Sequence, residues 1–305
     1  NSGITKDTPD PYGGEIQRDT VTGEPTGILK ESAKELIKTG AIPVERTPEE
    51  NEQRLIESWK AAFRMAAELG VTSIQHPGEG DAQFYQEWLD QGMLTCRVDV
   101  AGRLTNNKGA LEKYDELRKK YPPERNWIRF GYLKGYIDGT LGSATALMFE
   151  PFEDEPDTTG LPRHEYTELE EMVIATDKMG FQIGIHAIGT KANNWILNAF
   201  EKAIEVNGER DRRHRSEHAQ ILIDDDIPRF AELGVIASMQ PTHCITDKRF
   251  CEKRIGYERC KGADAGGRLL EAESKIAGGT VSPVEPLEPR DAFFGPVSRT
   301  EGVGE

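Results

Sequence analysis

The chain is poor in cysteine, in long apolar runs and in positive charge, and each scarcity closes off a class of protein. Four cysteines, at 96, 244, 251 and 260, occur in 305 residues. None forms CxxC, and their spacing fits no familiar zinc pattern. So few thiols exclude a disulfide-stapled secreted scaffold and point to a reduced, intracellular protein, with a cytoplasmic location expected. No apolar run approaches the ~18 residues of a membrane-spanning helix. Lys and Arg number 38 against 53 Asp and Glu, for a formal net charge of −15. A nucleic-acid groove or an anionic membrane surface needs clustered bases, so neither partner is expected. No GxSxG elbow supports Ser/His/Asp catalysis. VTSIQHPGEGD is not the GxGxxG loop of a dinucleotide-binding sheet. The opening NSGITKDTPDPYGGEIQRD lacks a Met and is no signal peptide; a processed, trimmed or fragmentary start is expected.

What is present alternates. Residues 1–28 carry the turn signals DTPDP, YGG and TGEPTG and read as a loop or small hairpin, followed by a short helix over 31–39. Thr47-Pro48-Glu49-Glu50 opens a helix that runs to about Leu69: Thr caps, Pro takes the first helical position and acids face the positive helix end. β-rich runs then begin near Val71, Leu94, Ile128, Phe181, His214, Gly234 and Lys275, with helical segments between them. Strands alternating with helices imply a parallel sheet with right-handed crossovers. Seven strands are one short of a (β/α)8 barrel. The expected fold is therefore α/β, of the (β/α)8 TIM-barrel type, with about seven of the eight strands in this chain. Its expected divisions are an N-terminal loop segment over 1–46, an incomplete barrel over 47–282 and a turn-rich tail over 283–305.

In such a barrel the C-terminal strand ends form one rim. The apolar runs GFQIGIH, RHRSEH and GVIASMQPTH each end on or just before a histidine: His186, His218 and His243. His76 closes an earlier run and is expected on the same rim. Neutral imidazole is a common ligand for zinc-like ions, and His186 and His218 on successive strands can share one ion. Any one of these histidines can equally be hydrogen-bonded to a loop. Lys134 lies inside an apolar strand. It is either a snorkelling side chain or a buried amine of lowered pKa, able to act as a base or to take up CO2 as a metal-bridging carbamate. Asp138 follows that strand as a turn cap or a catalytic carboxylate. His164 and His214 read as surface residues, and ERDRRHR as a solvated face before its strand.

Several segments resemble the amidohydrolase superfamily, in particular the YtcJ-like branch of amidohydrolase family 3. They are GITKDTPDPYGGEI with TGEPTGIL, GVTSIQHPG, LKGYIDGTLGSATA, GFQIGIHAIGTKANNWILNAFE, HRSEHAQ and GVIASMQPTHCITD. The resemblance implies a metal-dependent barrel that hydrolyses non-peptide C–N bonds, amide or N-formyl/N-acyl, in a small amide-like substrate. It implies one or two divalent ions, zinc before iron or manganese. Lys134 is the implied carboxylated lysine, and His186 and His218 are implied metal ligands. Asp138 and His243 are candidate catalytic groups, and Gln240 and Asp247 candidate substrate contacts. A homodimer is compatible with it. Three departures stand out. The family's first-strand HxH pair does not occur, as expected of an internal fragment. The family's G-[ST]-D-x-[PS]-V-E pattern reads Gly279-Thr-Val-Ser-Pro-Val-Glu285, with Val281 in place of the acid that activates water. The family's GSRTA loop has Ala144 where arginine is usual. Valine neither binds a metal nor accepts a proton, so an impaired enzyme is expected. The alternative is a catalytically silent barrel that binds a small ligand or a partner protein.

Overall fold

The computed structural model describes residues 2–37 and 46–291. The last residues of the helix expected over 31–39, and the part of the expected tail beyond 291, lie outside the described residues. The N-terminal segment is a hairpin of β1 (Gly14–Arg18) and β2 (Pro25–Glu31), followed by a 3-10 turn over Ser32–Leu36. Its turn is closed by the Asp19 carboxylate, which accepts N–H groups from Val21 and Thr22 at 3.0 and 2.8 Å. Glu31 ties the hairpin to the main body by accepting from Arg163 at 3.2 Å and from Thr145 at 3.0 Å.

Helix α1 (Pro48–Glu68) starts on Thr47 as its expected cap, and Glu50 adds the reciprocal bond of a capping box. Then follow β3 (Ser73–Glu79), α2 (Ala82–Asp90), β4 (Arg97–Arg103), α3 (Lys108–Lys120), β5 (Ile128–Tyr136), α4 (Tyr166–Lys178), β6 (Gln182–Ala187), α5 (Thr190–Asn207), β7 (Arg215–His218), α6 (Ile227–Glu232) and β8 (Ile236–Met239). Three helices, α7 (Pro241–Thr246), α8 (Lys248–Cys260) and α9 (Gly266–Glu271), precede β9 (Lys275–Gly278). Strands β3 to β9 form one seven-stranded parallel sheet in chain order. Strictly sequential order is the winding of a barrel; a doubly wound sheet reverses direction at a switch point. The seven-strand barrel-type expectation therefore holds. Among the described residues, no helix is long and apolar enough to cross a membrane.

Two-residue periodicity sorts the strands. Ile137, just past β5, with Ile183, Ile185 and Ala187 of β6, turns outward and is buried with Ile196, Leu197 and Phe200 of α5, while Leu133 of β5 is buried with Val98, Leu111 and Phe181. The alternate positions, Lys134, Tyr136, His186, Arg215 and Glu217, turn to the inner face. A parallel sheet normally buries both faces in apolar residues. Here one face is reserved for polar groups.

The ERDRRHR run is not the solvated face its composition suggests. Arg212 and His214 are buried around the fully buried Asp177 of α4, and Arg215 is buried on the inner face of the sheet, while Arg210 and Arg213 keep to the surface. Asp177 accepts from Arg210 at 2.5 Å, Arg212 at 2.9 Å, His214 Nε2 at 3.1 Å and Asn207 at 2.9 Å. His214 Nδ1 accepts the Ile183 N–H at 3.1 Å, so the ring carries its proton on Nε2 and is neutral. Burial alone would raise the Asp177 carboxyl. The hydrogen bonds from His214, Arg212 and Asn207 and the charge of Arg210 outweigh burial and hold it well below the usual range.

Two consequences follow for stability. Removing the charge in Asp177→Asn leaves the buried Arg212 guanidinium unpaired and is expected to cost about 3–5 kcal/mol in urea denaturation. The sign of the pH effect is the same for both groups. Asp177, depressed in the fold, contributes stability that is present above its unfolded value of about 3.9 and is lost as pH falls below it. His214, depressed by burial, loses its contribution as pH falls below about 6.5. Urea midpoints should therefore drop on acidification from neutrality, and less steeply below pH ~4 in Asp177→Asn than in the wild type.

Candidate active site at the C-terminal strand ends

The site is assembled by register. Tyr136 of β5 stands opposite His186 of β6, His186 opposite Glu217 of β7, and Ala187 opposite His218. Lys134, two residues before Tyr136, sits on the same face with its amine 3.6 Å from the Tyr136 ring centre. The amine donates to the Gly135 carbonyl at 2.8 Å. Burial pushes its pKa down to about 7, against the pull of the nearby Glu217 carboxylate. The neutral amine is thereby brought far closer to physiological pH than in a free lysine.

His186 Nε2 lies 2.9 Å from the Gly139 carbonyl oxygen. A carbonyl only accepts, so Nε2 carries the proton and the lone pair is on Nδ1. Burial, reinforced by the Lys134 charge, pushes this ring down to about 3 and keeps it neutral. His218 reaches the same place by a different route. Ser216, two residues earlier, points to α5 and donates to Asn193 at 2.8 Å. Regular alternation would send His218 the same way. Instead the chain enters the left-handed region at His218 (φ 83°) and Ala219 (φ 44°). The ring comes round to 4.5 Å from His186 and 5.9 Å from His243, between centres. Such backbone costs about 1–3 kcal/mol for a non-glycine residue and clusters at functional sites.

His243 is carried by the short helix α7, one step beyond its strand. Its Nε2 and the Nδ1 of His218 are buried without a hydrogen-bond partner. Gln240, at the N-cap of α7, donates to the Ser238 carbonyl at 3.0 Å and lies against His218. Asp247 accepts from Gln220 at 2.7 Å, and burial raises its carboxyl. His76 does not join the rim. It bonds the Tyr85 hydroxyl at 2.7 Å and packs towards Trp59 on the helix side. Four participants escaped the sequence reading: Tyr136, Arg163, Glu217 and Glu285. The last has its carboxylate 3.8 Å from His243 Nε2 and accepts from Thr246 at 2.8 Å. The alternation Arg215-Ser-Glu217 was the available signal for Glu217.

Asp138 is completely enclosed. Its carboxylate accepts the N–H groups of Leu147 at 2.9 Å, Ile188 at 3.1 Å and Gly189 at 2.8 Å. His186 Nε2 is 3.4 Å from its Oδ1. Burial raises the carboxyl to about 7 although the three N–H bonds oppose the shift. Gly189, the N-cap of α5, passes so close to the 147 loop that a Cβ there would lie 2.1 Å from the Leu147 oxygen. Of the three departures noted above, two have a place in the structure: Ala144 is buried with φ 55°, and Val281 follows β9 with φ 53° at 39% exposure. Beside the rim a cavity of about 240 Å³ is lined by Arg103, Leu104, Lys134, Tyr136, Arg163 and Met172.

As a metal site these residues form a partial donor set. His186 and His218 are adjacent and neutral, and the orphaned His218 Nδ1 is a buried lone pair or N–H in need of a partner. Among the described residues, no group of three or more His, Cys, Asp and Glu side chains is placed to hold an ion. The fit is to two imidazoles and one amine.

A sequentially wound parallel sheet with imidazoles and a buried lysine near its C-terminal strand ends is an incomplete barrel of the α/β class. The chain belongs to the amidohydrolase family, whose model matches residues 1–304. It is 34% identical to Protein LONG AFTER FAR-RED 3 of Arabidopsis thaliana, over 98% of this chain and 52% of that one. It is 31% identical to YtcJ of Bacillus subtilis (strain 168), over 94% of this chain and 53% of that one. An uncharacterized metal-dependent hydrolase from Pyrococcus furiosus shares its fold with a TM-score of 0.71 and 28% identity, covering 90% of this chain and 56% of that one. The chain thus spans about half the length of the curated relatives it matches.

The Asp138 clamp gives a direct test. Asp138→Asn turns an N–H2 towards backbone donors and is expected to cost about 3 kcal/mol in urea denaturation. Gly189→Ala, which forces the loop away from α5, should destabilise in the same sense. A neutral Asp138→Asn would show that the carboxylate does not hold this junction.

Proposed function

We propose that this chain carries the His/Lys side of a metal-assisted hydrolase site acting on C–N bonds of the amide, N-formyl or N-acyl type. The observation that carries the reading is the pair of neutral imidazoles, His186 and His218, 4.5 Å apart between ring centres and sharing one inner face with Lys134. Family membership and the metal-dependent hydrolase from P. furiosus support it. A divalent ion, zinc before iron or manganese, would be held by His186, His218 and Lys134. The chemistry such a centre supplies is Lewis acidity towards water and the substrate carbonyl.

The chain's own groups have definable tasks. The neutral fraction of Lys134 can add to CO2, forming a carbamate and releasing a proton, which converts an amine into an anionic oxygen donor. Gly139 O fixes the tautomer of His186 and so leaves Nδ1 as its donor atom. His243, beside Glu285, is the group on the substrate side able to hold or pass a proton. Gln240 and Asp247 face that side from the start and end of α7. Val281 offers no carboxylate where the family's proton acceptor is expected, which favours low turnover and keeps open a ligand-binding barrel as the second reading.

Equilibrium dialysis against zinc, iron and manganese, followed by elemental analysis, tests the first step. Near-stoichiometric metal is expected in the wild type, with affinity falling at least ~100-fold in His186→Ala and His218→Ala. Metal-loaded wild type should hydrolyse a panel of N-formyl and N-acyl amines only slowly, and Val281→Asp should raise the rate. A folded protein that takes up no metal would sink this reading in favour of the ligand-binding one.

A further inference from the structure

Two of the four cysteines are neighbours in space for a reason built into α8. Cys251 and Cys260 are nine residues apart on that helix. In a straight α-helix that separation is about 13 Å of rise and two and a half turns, which puts the side chains on opposite faces. Gly256, at φ 73° and ψ 161°, breaks the helix between them. The second half folds back, and the sulfurs come to 3.2 Å.

The break is held from outside on both sides. Arg254, before it, pairs with Asp154 at 3.1 Å and Glu155 at 2.7 Å. Arg259, after it, donates to the Pro151 carbonyl at 2.8 Å and pairs with Glu153 at 3.3 Å. Both thiols are half-buried, packed against the cluster that contains Phe152, Ile188 and Ile255. A disulfide needs about 2.05 Å between sulfurs, so closure asks for a shift of roughly 1 Å.

We propose that Cys251 and Cys260 form a redox modification site, a dithiol that is closed to an intrachain disulfide by a small-molecule disulfide of the glutathione type. Either thiol can open the exchange, and both orders end in the same bond; through Cys260 it runs in two displacements. The Cys260 thiolate displaces one thiolate from the small disulfide and leaves a mixed disulfide on Cys260. Cys251 then gives its proton to solvent and attacks the Cys260 sulfur, and the second small thiol departs. Two protein thiols are oxidised and one external disulfide is reduced to two thiols. The second attack is intramolecular between preplaced sulfurs and outruns a second external exchange. The product pins the Gly256 break. This site is independent of the hydrolase reading.

The test equilibrates the whole chain in reduced and oxidised glutathione at several ratios, quenches in acid, unfolds, alkylates and maps peptides by mass. The expected product has lost two hydrogens and contains a 251–260 link, while Cys96 and Cys244 are alkylated. Cys251→Ser should instead hold glutathione on Cys260. Wild-type chain that ends only as glutathione adducts, that links Cys96 or Cys244, or that stays fully alkylatable in excess oxidised glutathione overturns the proposal. The wild-type map decides the matter even if the serine variant folds poorly.

Discussion

The carboxylate of Asp138 is the constraint on which the rest of the site depends. It sits where β5 ends, and it collects N–H groups from the 147 loop and from the two residues that precede α5. Those donors would otherwise be buried without partners, each at a cost of about 1–3 kcal/mol. One side chain therefore ties three chain segments together, alongside the bonds that the Leu147 carbonyl accepts from Lys191 and Ala192. The segment between β6 and α5 is among them, so the position of His186 follows from it. The carbonyl of Gly139, next to Asp138, sets the tautomer of that same ring. Architecture and imidazole chemistry are controlled from adjacent residues.

The inner face of the sheet makes the second layer of control. Arg215 bonds Gln75 at 2.6 Å, pairs with Glu217 at 2.9 Å and lies 4.4 Å from the centre of the Tyr132 ring. Glu217 in turn opposes the loss of the Lys134 proton, and Arg215 favours it. With desolvation as the largest influence, the amine is left near neutrality. A shift of either charge would move Lys134 away from the point where it is both protonatable and nucleophilic. The polar groups of this face thus act on one another, with Glu217 and Arg215 pulling the Lys134 amine in opposite directions.

Much of this was legible in the residues. The alternation of strands and helices, the capping box at Thr47, and the placing of Lys134, His186 and His218 near strand ends all follow from local pattern. What was hidden depends on distant partners or on backbone turning. The ERDRRHR run looked solvated because the acid that gathers it, Asp177, lies 33 to 37 residues upstream. His76 ends an apolar run as His186 does, yet its ring faces Tyr85; only the register of the rings, not the run, separates them. The fold-back of α8 at Gly256 leaves no trace in a pattern of Lys, Arg and Glu that is helical on both sides.

His218 and Val281 are both non-glycine residues at positive φ, and they differ in what answers the strain. At His218 the unusual backbone has a visible return: it carries the ring from the helix side of the sheet to a neighbouring imidazole. At Val281 the side chain is 39% exposed, and a β-branched residue is among the least tolerant of that region. Asp and Asn tolerate it far better, because their short polar side chains bond locally. The backbone at 281 is therefore one that glycine, aspartate or asparagine adopts at lower cost than valine, and the acid that the family resemblance expects there is one of these residue types.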